Sequence, residues 1–334
     1  MADVARLVGV SEMTVSRVLN GRPRVSAETR ARVIAAMSEL GYRPNTAARA
    51  LVTGRSRTLG VVSFNATLYG PASTLSGIEQ AAREAGYFVS IAFMQPHGRG
   101  RVAEVIDHLK AQAIDGVIIS APHAWTVKVL RHLPADLPVV AIDGEPGPVP
   151  SAAVDQYVGA VKATEHLLTL GHETVHHVAG PSGWSSARAR EQGWRDALER
   201  AGKVVPPALR GDWSAGSGYE EGRRLAASGN ASAIFAANDH MALGVLRALQ
   251  ETGAGVPGDV SVVGFDDVPE ATFFGPALTT IRQDFGALGQ RGLALLVEQI
   301  EGASRSSRHV VVEPELVVRD SSGPASASPR KKTS

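Results

Sequence analysis

The chain predicts two unlike parts in succession, an all-α helix-turn-helix head and an α/β core of two lobes built on parallel sheets. Two observations separate them. Apolar residues recur at helical spacing through about residue 43, whereas from residue 58 short β-branched runs alternate with helical segments. Charge divides at the same place. Residues 1–57 hold ten arginines and no lysine against Asp3, Glu12, Glu28 and Glu39, a net +6, while the whole chain is +1, so everything after residue 57 carries −5.

In the head, Asp3 to Val8 reads as a short amphipathic helix, and Gly9 allows a sharp turn before Ser11, a good N-cap for a second helix. Val15, Val18 and Leu19 then form a buried stripe at i, i+3, i+4 spacing. That stripe leaves Glu12, Met13, Thr14, Ser16 and Arg17 facing outward, flanked by Ser11 and Asn20, as a set able to reach a DNA major groove. Ser26 caps a third helix whose supporting face is Val33, Ile34, Met37 and Leu40, and Gly41 ends it. A basic head on an otherwise acidic chain is the footprint of phosphate contact; a solvated three-helix bundle is the bland alternative. The segment 44–57 is alanine-rich and has no core of its own, so it reads as a marginal helix or a flexible linker.

In the core, the runs Leu59 to Ser63, Phe88 to Phe93, Gly116 to Ile119 and Val139 to Ile142 each precede a helical segment, and the alternation resumes at Val175 to Ala179, Ala233 to Ala236 and Val260 to Phe265. Repeated βαβ units predict parallel sheets with helices on both faces. The Gly/Pro cluster from Pro146 to Ser151 divides two sheets, with the second half starting near Ala153 and a return to the first lobe around Pro276 to Asp284. Ligands bind at the carboxyl ends of such strands. Asp143, Asn238, Asp239, Asp266 and Asp267 all fall there. Asp266 and Asn238 with Arg190 would make a clamp for paired hydroxyls, and Trp213 offers a flat face for a sugar ring. Each also has an ordinary reading: Asp239 and Asp267 as helix N-caps, Arg190 as a helix-surface arginine, Trp213 as a loop cover and Phe285 as core.

Composition narrows the function classes. With 334 residues and 44% apolar residues there is material for sizeable cores, and with no cysteine there is neither a disulfide framework nor a thiolate metal site. The N-terminus lacks a signal-peptide pattern and no run approaches the ~20 apolar residues of a membrane span, so a cytoplasmic protein with no membrane partner is expected. The end, SSGPASASPRKKTS, has no apolar repeat, which predicts a disordered tail over 321–334 and a homodimer in place of a higher oligomer.

The stretches DVARLVGVS, TVSRVLNG, VSAETRARV and LGYRPNTAARAL resemble the head of the LacI-type bacterial repressor family almost position for position. GDWSAGSGY, AANDHMALG, DVSVVGFDD and LTTIRQDFGALG extend the resemblance through nearly the whole chain and are most like the family's lactose-responsive branch. It implies a periplasmic-binding-protein-like core and a domain order of DNA-binding head 1–43, hinge helix and linker 44–57, effector-binding and dimerisation domain 58–320, and tail. It also implies that Arg190, Asn238 and Asp266 hold an effector while Asp143, Ser186, Trp213, Gln283 and Phe285 line its pocket. In the hinge, Asn45, Ala48 and Leu51 would contact DNA, Leu51 wedging into a minor-groove base step. The expected function is repression of transcription from a pseudo-palindromic operator, relieved by a small sugar, with the GDWSA motif favouring a galactoside. Another sugar, a nucleoside or a corepressor of opposite sign stays open. No cofactor is expected.

The chain departs from the lactose-responsive pattern at several points. Glu12 and Met13 stand where that branch has Tyr-Gln, so the operator preference differs. Phe64, Ser120 and Val154 replace small, amide-bearing and aromatic residues near the first lobe's binding edge. The chain also starts several residues later than usual, without a phosphate-contacting threonine-like position. Two other function classes have candidate residues in the sequence. A sugar hydrolase would use Asp266 and Asp143 as its carboxylate pair. A zinc protein would use His172, His176 and His177, although the segment Thr174 to Val178 reads as a strand, on which i and i+4 lie far apart. The lone GRG near Gly98 lacks the strand-to-helix context of a nucleotide loop.

Overall fold

The computed structural model describes residues 1–19, 25–42, 54–64, 67–94, 102–120, 122–123, 125–126, 130–131, 133, 136–302 and 308–326. Met1–Ser56 and Arg57–Ser334 form two compact units.

In the first unit, helices α1 (Ala2–Val8), α2 (Glu12–Leu19) and α3 (Ala27–Glu39) enclose Val4, Ala5, Val8, Val15, Val18, Val33 and Ala36. Gly9, at φ 71°, makes the turn between α1 and α2. Ser11 Oγ accepts from the Thr14 N–H at 3.2 Å and Ser26 Oγ from the Thr29 N–H at 3.2 Å, so both hydroxyls cap as their positions require. The inward face of α3 differs from expectation. Ile34 and Leu40 are 56% and 46% exposed, and Ala36 takes the place beside Val33. A single helix against two short ones buries a narrow stripe, and 33, 36 and 37 are the positions that share it. Arg32 donates to the Val8 carbonyl at 2.6 Å and Arg30 to the Val18 carbonyl at 3.4 Å, closing the C-terminal ends of α1 and α2.

The second unit holds two six-stranded sheets. The first contains β1 (Thr58–Phe64), β2 (Phe88–Met94), β3 (Gly116–Ser120), β4 (Val139–Ile142), β5 (Ser151–Val154) and β11 (His309–Val312), all parallel, in the order β11-β5-β4-β3-β1-β2. The second contains β6 (His176–Ala179), β7 (Leu209–Arg210), β8 (Ala233–Ala236), β9 (Ser261–Asp266), β10 (Thr279–Arg282) and β12 (Glu315–Val317), in the order β12-β10-β9-β8-β6-β7, with β12 antiparallel. Helices α4 (Tyr69–Glu84), α5 (Val102–Lys110) and α10 (Phe285–Ile300) serve the first lobe; α6 (Gln156–Thr169), α7 (Ser185–Arg200), α8 (Ala215–Ser228) and α9 (Asp239–Glu251) serve the second. Buried runs such as Gly116–Ser120 and Ala233–Ala236 have no polar face because helices cover both sides.

The crossings between lobes depart from the sequence expectation in three ways. β5 still belongs to the first sheet, so the second lobe opens at Gln156 and not near Ala153. β10 lies in the second sheet, and the return comes at Phe285. A third crossing joins β11 to β12. Residues 321–326, expected to open a disordered tail, are instead tied to the second lobe. Ser321 Oγ donates to the Val262 carbonyl at 2.6 Å, Gly323 N–H to Ser261 Oγ at 3.0 Å and Ala325 N–H to the Leu170 carbonyl at 2.9 Å.

Candidate functional site

Each sheet reverses strand order beside its first strand, β1 next to β3 in one lobe and β6 next to β8 in the other. A crevice at the carboxyl ends of the strands follows from that topology. Here the strand ends of both lobes border one cavity of about 580 Å³, part of it open to solvent. All eight residues expected at an effector site, Asp143, Ser186, Arg190, Trp213, Asn238, Asp266, Gln283 and Phe285, line it.

The second lobe contributes a hydrogen-bonded frame. Arg190, on the first turns of α7 and 5% exposed, donates from Nε to Gln156 Oε1 at 2.8 Å and from Nη1 to the Ala237 carbonyl. Gln156 Nε2 donates to Gln283 Oε1 at 2.8 Å, and Gln283 Nε2 to Asp266 Oδ1 at 2.6 Å. Asp266 Oδ1 lies 3.6 Å from Arg190 Nη2, which closes the circuit. The guanidinium also sits 3.7 Å from the centroid of the Phe265 ring. Burial lowers the Arg190 pKa and raises that of Asp266, and each charge opposes the shift of the other. A buried pair held this way keeps the guanidinium planar and fixed in aim.

Asn238 caps α9: its Oδ1 accepts from the Met241 N–H at 2.9 Å while its Nδ2 donates to the Trp213 carbonyl at 3.1 Å. One amide hydrogen and one lone pair remain for a ligand. The two carboxylates with an N-cap alternative do neither job. Asp239 is fully buried and accepts from Thr280 Oγ1 at 2.5 Å and the Val268 N–H at 2.8 Å, and burial pushes its carboxyl well above the usual range. Asp267 pairs with Arg282 at 2.7 Å and Arg319 at 2.6 Å. Trp213 lies over Gly180, where a Cβ would run into its six-membered ring. Trp213, Asp266 and Asp143 adopt φ of 77°, 116° and 59°, a region costly for side-chain-bearing residues, so the surrounding structure holds strain at three of the eight positions.

The first lobe brings mostly apolar surface: Leu68, Tyr69, Pro71 and Pro122, with Phe285 edge-on to Tyr69 at 5.9 Å. Its polar side chains at the cavity are Ser120, Asp143 and the Tyr69 hydroxyl, which bonds Ser73. Asp143 accepts from Thr74 Oγ1 at 3.0 Å, and burial raises its pKa to about 6 despite that bond and the Arg190 charge. Phe64 and Val154, noted as substitutions near this edge, are buried beneath it.

Sequence reasoning missed Gln156, Trp184, Leu68, Tyr69 and Pro122. The strand-end rule covers Tyr69, which follows β1, and Pro122, which follows β3. Nothing in the sequence marks Gln156, whose role depends on the crossover from β5. The three histidines do not converge: His176 and His177 are neighbours on one strand and point to opposite faces. His172 bonds Ser232 at 3.0 Å and Ser261 at 3.1 Å, and His177 donates to the Phe235 carbonyl at 2.9 Å with its pKa lowered by burial to about 3. Among the described residues no group of three or more His, Cys, Asp or Glu could hold a metal, and no helix is long and apolar enough to cross a membrane.

On the head, α2 presents Glu12, Met13 and Arg17 as exposed and Thr14 and Ser16 as half-buried, with Met13 64% exposed. Ser11 and Thr14 are hydrogen-bonded to each other at 3.0 Å, and Arg17 Nη2 lies 3.5 Å from Met13 Sδ. Asn20, Asn45, Ala48 and Leu51, and with them nearly all of the proposed hinge, lie outside the described residues.

Residues 1–45 match the family described as bacterial regulatory proteins, lacI family, and residues 164–322 match the periplasmic binding protein-like domain. The lactose operon repressor of Escherichia coli (strain K12) is 36% identical over 304 residues, covering 90% of this chain and 84% of the relative. The ribose operon repressor of the same strain is 32% identical, covering 96% of this chain and 99% of the relative. A crystal structure of the lac repressor dimer bound to operator and the anti-inducer ONPF superposes with a TM-score of 0.83 at 34% identity, covering 96% of this chain and 98% of that one.

Proposed function

The chain belongs to the lacI family of bacterial regulatory proteins, and from that premise we propose that it is a transcriptional repressor that binds an operator as a homodimer and is released by a small sugar in the inter-lobe cavity. Its parts are a DNA-binding head, 1–43, a hinge, 44–57, and an effector-binding and dimerisation core from residue 58, working in the cytoplasm, where the DNA is. The observation that carries the effector reading is the closed circuit of Arg190, Gln156, Gln283 and Asp266 beside Trp213. A fixed guanidinium and carboxylate suit vicinal hydroxyls, and the indole suits the C–H face of a pyranose. A galactoside is the sugar class favoured by the GDWSA segment that places Trp213.

On the head, Glu12, Met13, Thr14, Ser16 and Arg17 are the residues we assign to base and phosphate contact, with Ser11 and Asn20 at the helix ends and Asn45, Ala48 and Leu51 in the hinge. Effector binding changes the relation of the two lobes, and operator affinity falls by linkage. Asp266 is committed to Gln283 and Arg190, which fits binding without turnover. Footprinting on DNA upstream of the protein's own gene, with a panel of galactosides, other sugars and nucleosides, tests the reading. A protected pseudo-palindrome released by a galactoside supports it. Release by ribose or a nucleoside reassigns the effector, tighter binding reverses the sign, and liberation of free sugar from the galactoside restores an enzymatic role.

A further inference from the structure

Helix α4 turns an otherwise apolar stripe toward the core of the first lobe, and one member of that stripe is polar. Thr74, Gly77, Ile78 and Ala81 share a face at i, i+3, i+4 and i+7, and all are buried. A threonine inside a helix ordinarily bonds back to the carbonyl four residues earlier, as Thr164 does to Ala160 and Thr169 to Glu165, each at 2.8 Å. Thr74 instead sends its hydroxyl proton across the lobe to Asp143 Oδ2 at 3.0 Å. Valine has the same branched shape and suits an apolar stripe better, so packing alone does not account for the residue.

The aim of that hydroxyl is fixed. A β-branched side chain in a helix is stiff about χ1. One turn further on, α4 is pressed against α10: a Cβ on Gly77 would come within 2.3 Å of the Phe285 carbonyl oxygen, and one on Gly289 within 2.3 Å of the Gly77 carbonyl carbon. Asp143, just past the end of β4, lines the cavity with part of its surface accessible, and its other oxygen, Oδ1, has no hydrogen-bond partner among the described residues. The charges that act on it are Arg190, on α7, and Asp266, at the end of β9. Glu145, two residues further along the chain, is paired with Arg188 at the surface. The Arg190 guanidinium is itself held by Gln156, the Ala237 carbonyl and Asp266, which leaves Thr74 as the group that donates to Asp143.

We propose that Thr74 is a positioning residue for the effector: by donating to Oδ2 it holds the Asp143 carboxylate ionised and aimed, so that Oδ1 accepts a hydroxyl of the bound sugar. The inference rests on the sugar reading above. Thr74 does not line the cavity and acts through Asp143. A donor to a carboxylate favours its charged form, and here it opposes the burial that raises the Asp143 pKa to about 6. Without it the carboxyl keeps its proton to higher pH, and a protonated carboxyl is a poorer acceptor for a sugar hydroxyl.

The test is calorimetric titration of the full-length protein with methyl β-galactoside from about pH 5 to about pH 9, in the parent, Thr74→Val, Thr74→Ser, Asp143→Asn and Thr74→Val/Asp143→Asn proteins. Affinity in the parent should rise with pH about a midpoint near 6. Thr74→Val should move that midpoint up by about one pH unit and come within about twofold of the parent above about pH 8. Thr74→Ser keeps the hydroxyl and should return the midpoint to that of the parent. In the Asp143→Asn background Thr74→Val should cost less than about twofold at any pH. Carbon-13 NMR titration of the Asp143 carboxyl without sugar should show the same displacement between parent and Thr74→Val. An unmoved midpoint, a loss equal at every pH, or a loss of the same size in the Asp143→Asn background overturns the role of Thr74 while sugar binding stands. Failure of the parent to bind methyl β-galactoside at any pH overturns the galactoside reading and the effector role of Thr74 with it.

Discussion

The two lobes share one strand order yet meet the cavity with different chemistry. The second lobe arrives with its polar groups already joined, Arg190 to Gln156, Gln156 to Gln283 and Gln283 to Asp266, and with Trp213 locked over Gly180. The first arrives with Leu68, Pro71, Pro122 and the Tyr69 ring, and with Ser120, Asp143 and the Tyr69 hydroxyl as polar groups not joined into such a frame. A prebonded frame loses little freedom when a ligand binds, so it fixes orientation, whereas apolar faces add burial and tolerate different substituents. On the function proposed, specificity for the ring falls to the second lobe and tolerance of what is attached to it to the first.

Breaking the frame should produce the largest effect. Arg190→Ala removes the group at its centre and leaves Asp266 buried without its cation; effector affinity should fall at least about 100-fold, roughly 3 kcal/mol, with operator binding kept, as calorimetry and a gel-shift titration would show. Next comes a matched pair of glycines. Gly180→Ala drives a methyl into the Trp213 ring and should weaken the effector at least about tenfold. Gly70→Ala, on the first-lobe side, meets Phe285 Cζ at an ordinary 4.0 Å and should change affinity less than about twofold. Equal effects from the two would erase the distinction between lobes.

Acid sharpens the comparison through Asp143. Its carboxyl sits at about 6 in the folded chain, above its ordinary value, so this site's contribution to stability falls as pH rises from about 4 to about 6 and is level above. A sugar hydroxyl donating to Asp143 prefers the ionised form, so effector affinity should run the other way, about tenfold weaker at pH 5 than at pH 7.5, and Asp143→Asn should flatten the profile. A milder break of the frame is Gln156→Leu, which opens the circuit but leaves both charges in place: about fivefold in effector affinity by calorimetry, about 1 kcal/mol.

Much of this was legible in the sequence where a residue's neighbours are set by its own element. The helical stripe of Val15, Val18 and Leu19, the Ser11 and Ser26 caps, and the fully apolar strands all follow from local pattern. Strand-end polar residues could be found by position, but their partners could not: Asp239 braces Thr280 and Asp267 pairs with Arg282 and Arg319, contacts set by strand order. Gln156 belongs to the site because a crossover delivers it there. The third crossing runs through β11 and β12, short half-exposed strands with only Glu313 and Pro314 between them, which carry little periodic signal. The Ser/Gly/Pro composition of 321–326 suggests disorder, yet its hydroxyls and backbone groups meet Ser261, Val262 and Thr279, and composition does not register partners supplied by distant residues.

The central claim, that the cavity and the operator are coupled through one protein, is tested most directly by measuring effector affinity with and without saturating operator DNA, and operator affinity with and without saturating effector. Linkage requires the two ratios to be equal, and release of the repressor predicts both to exceed about fivefold in the weakening direction. An effector affinity unchanged by operator would contradict the account.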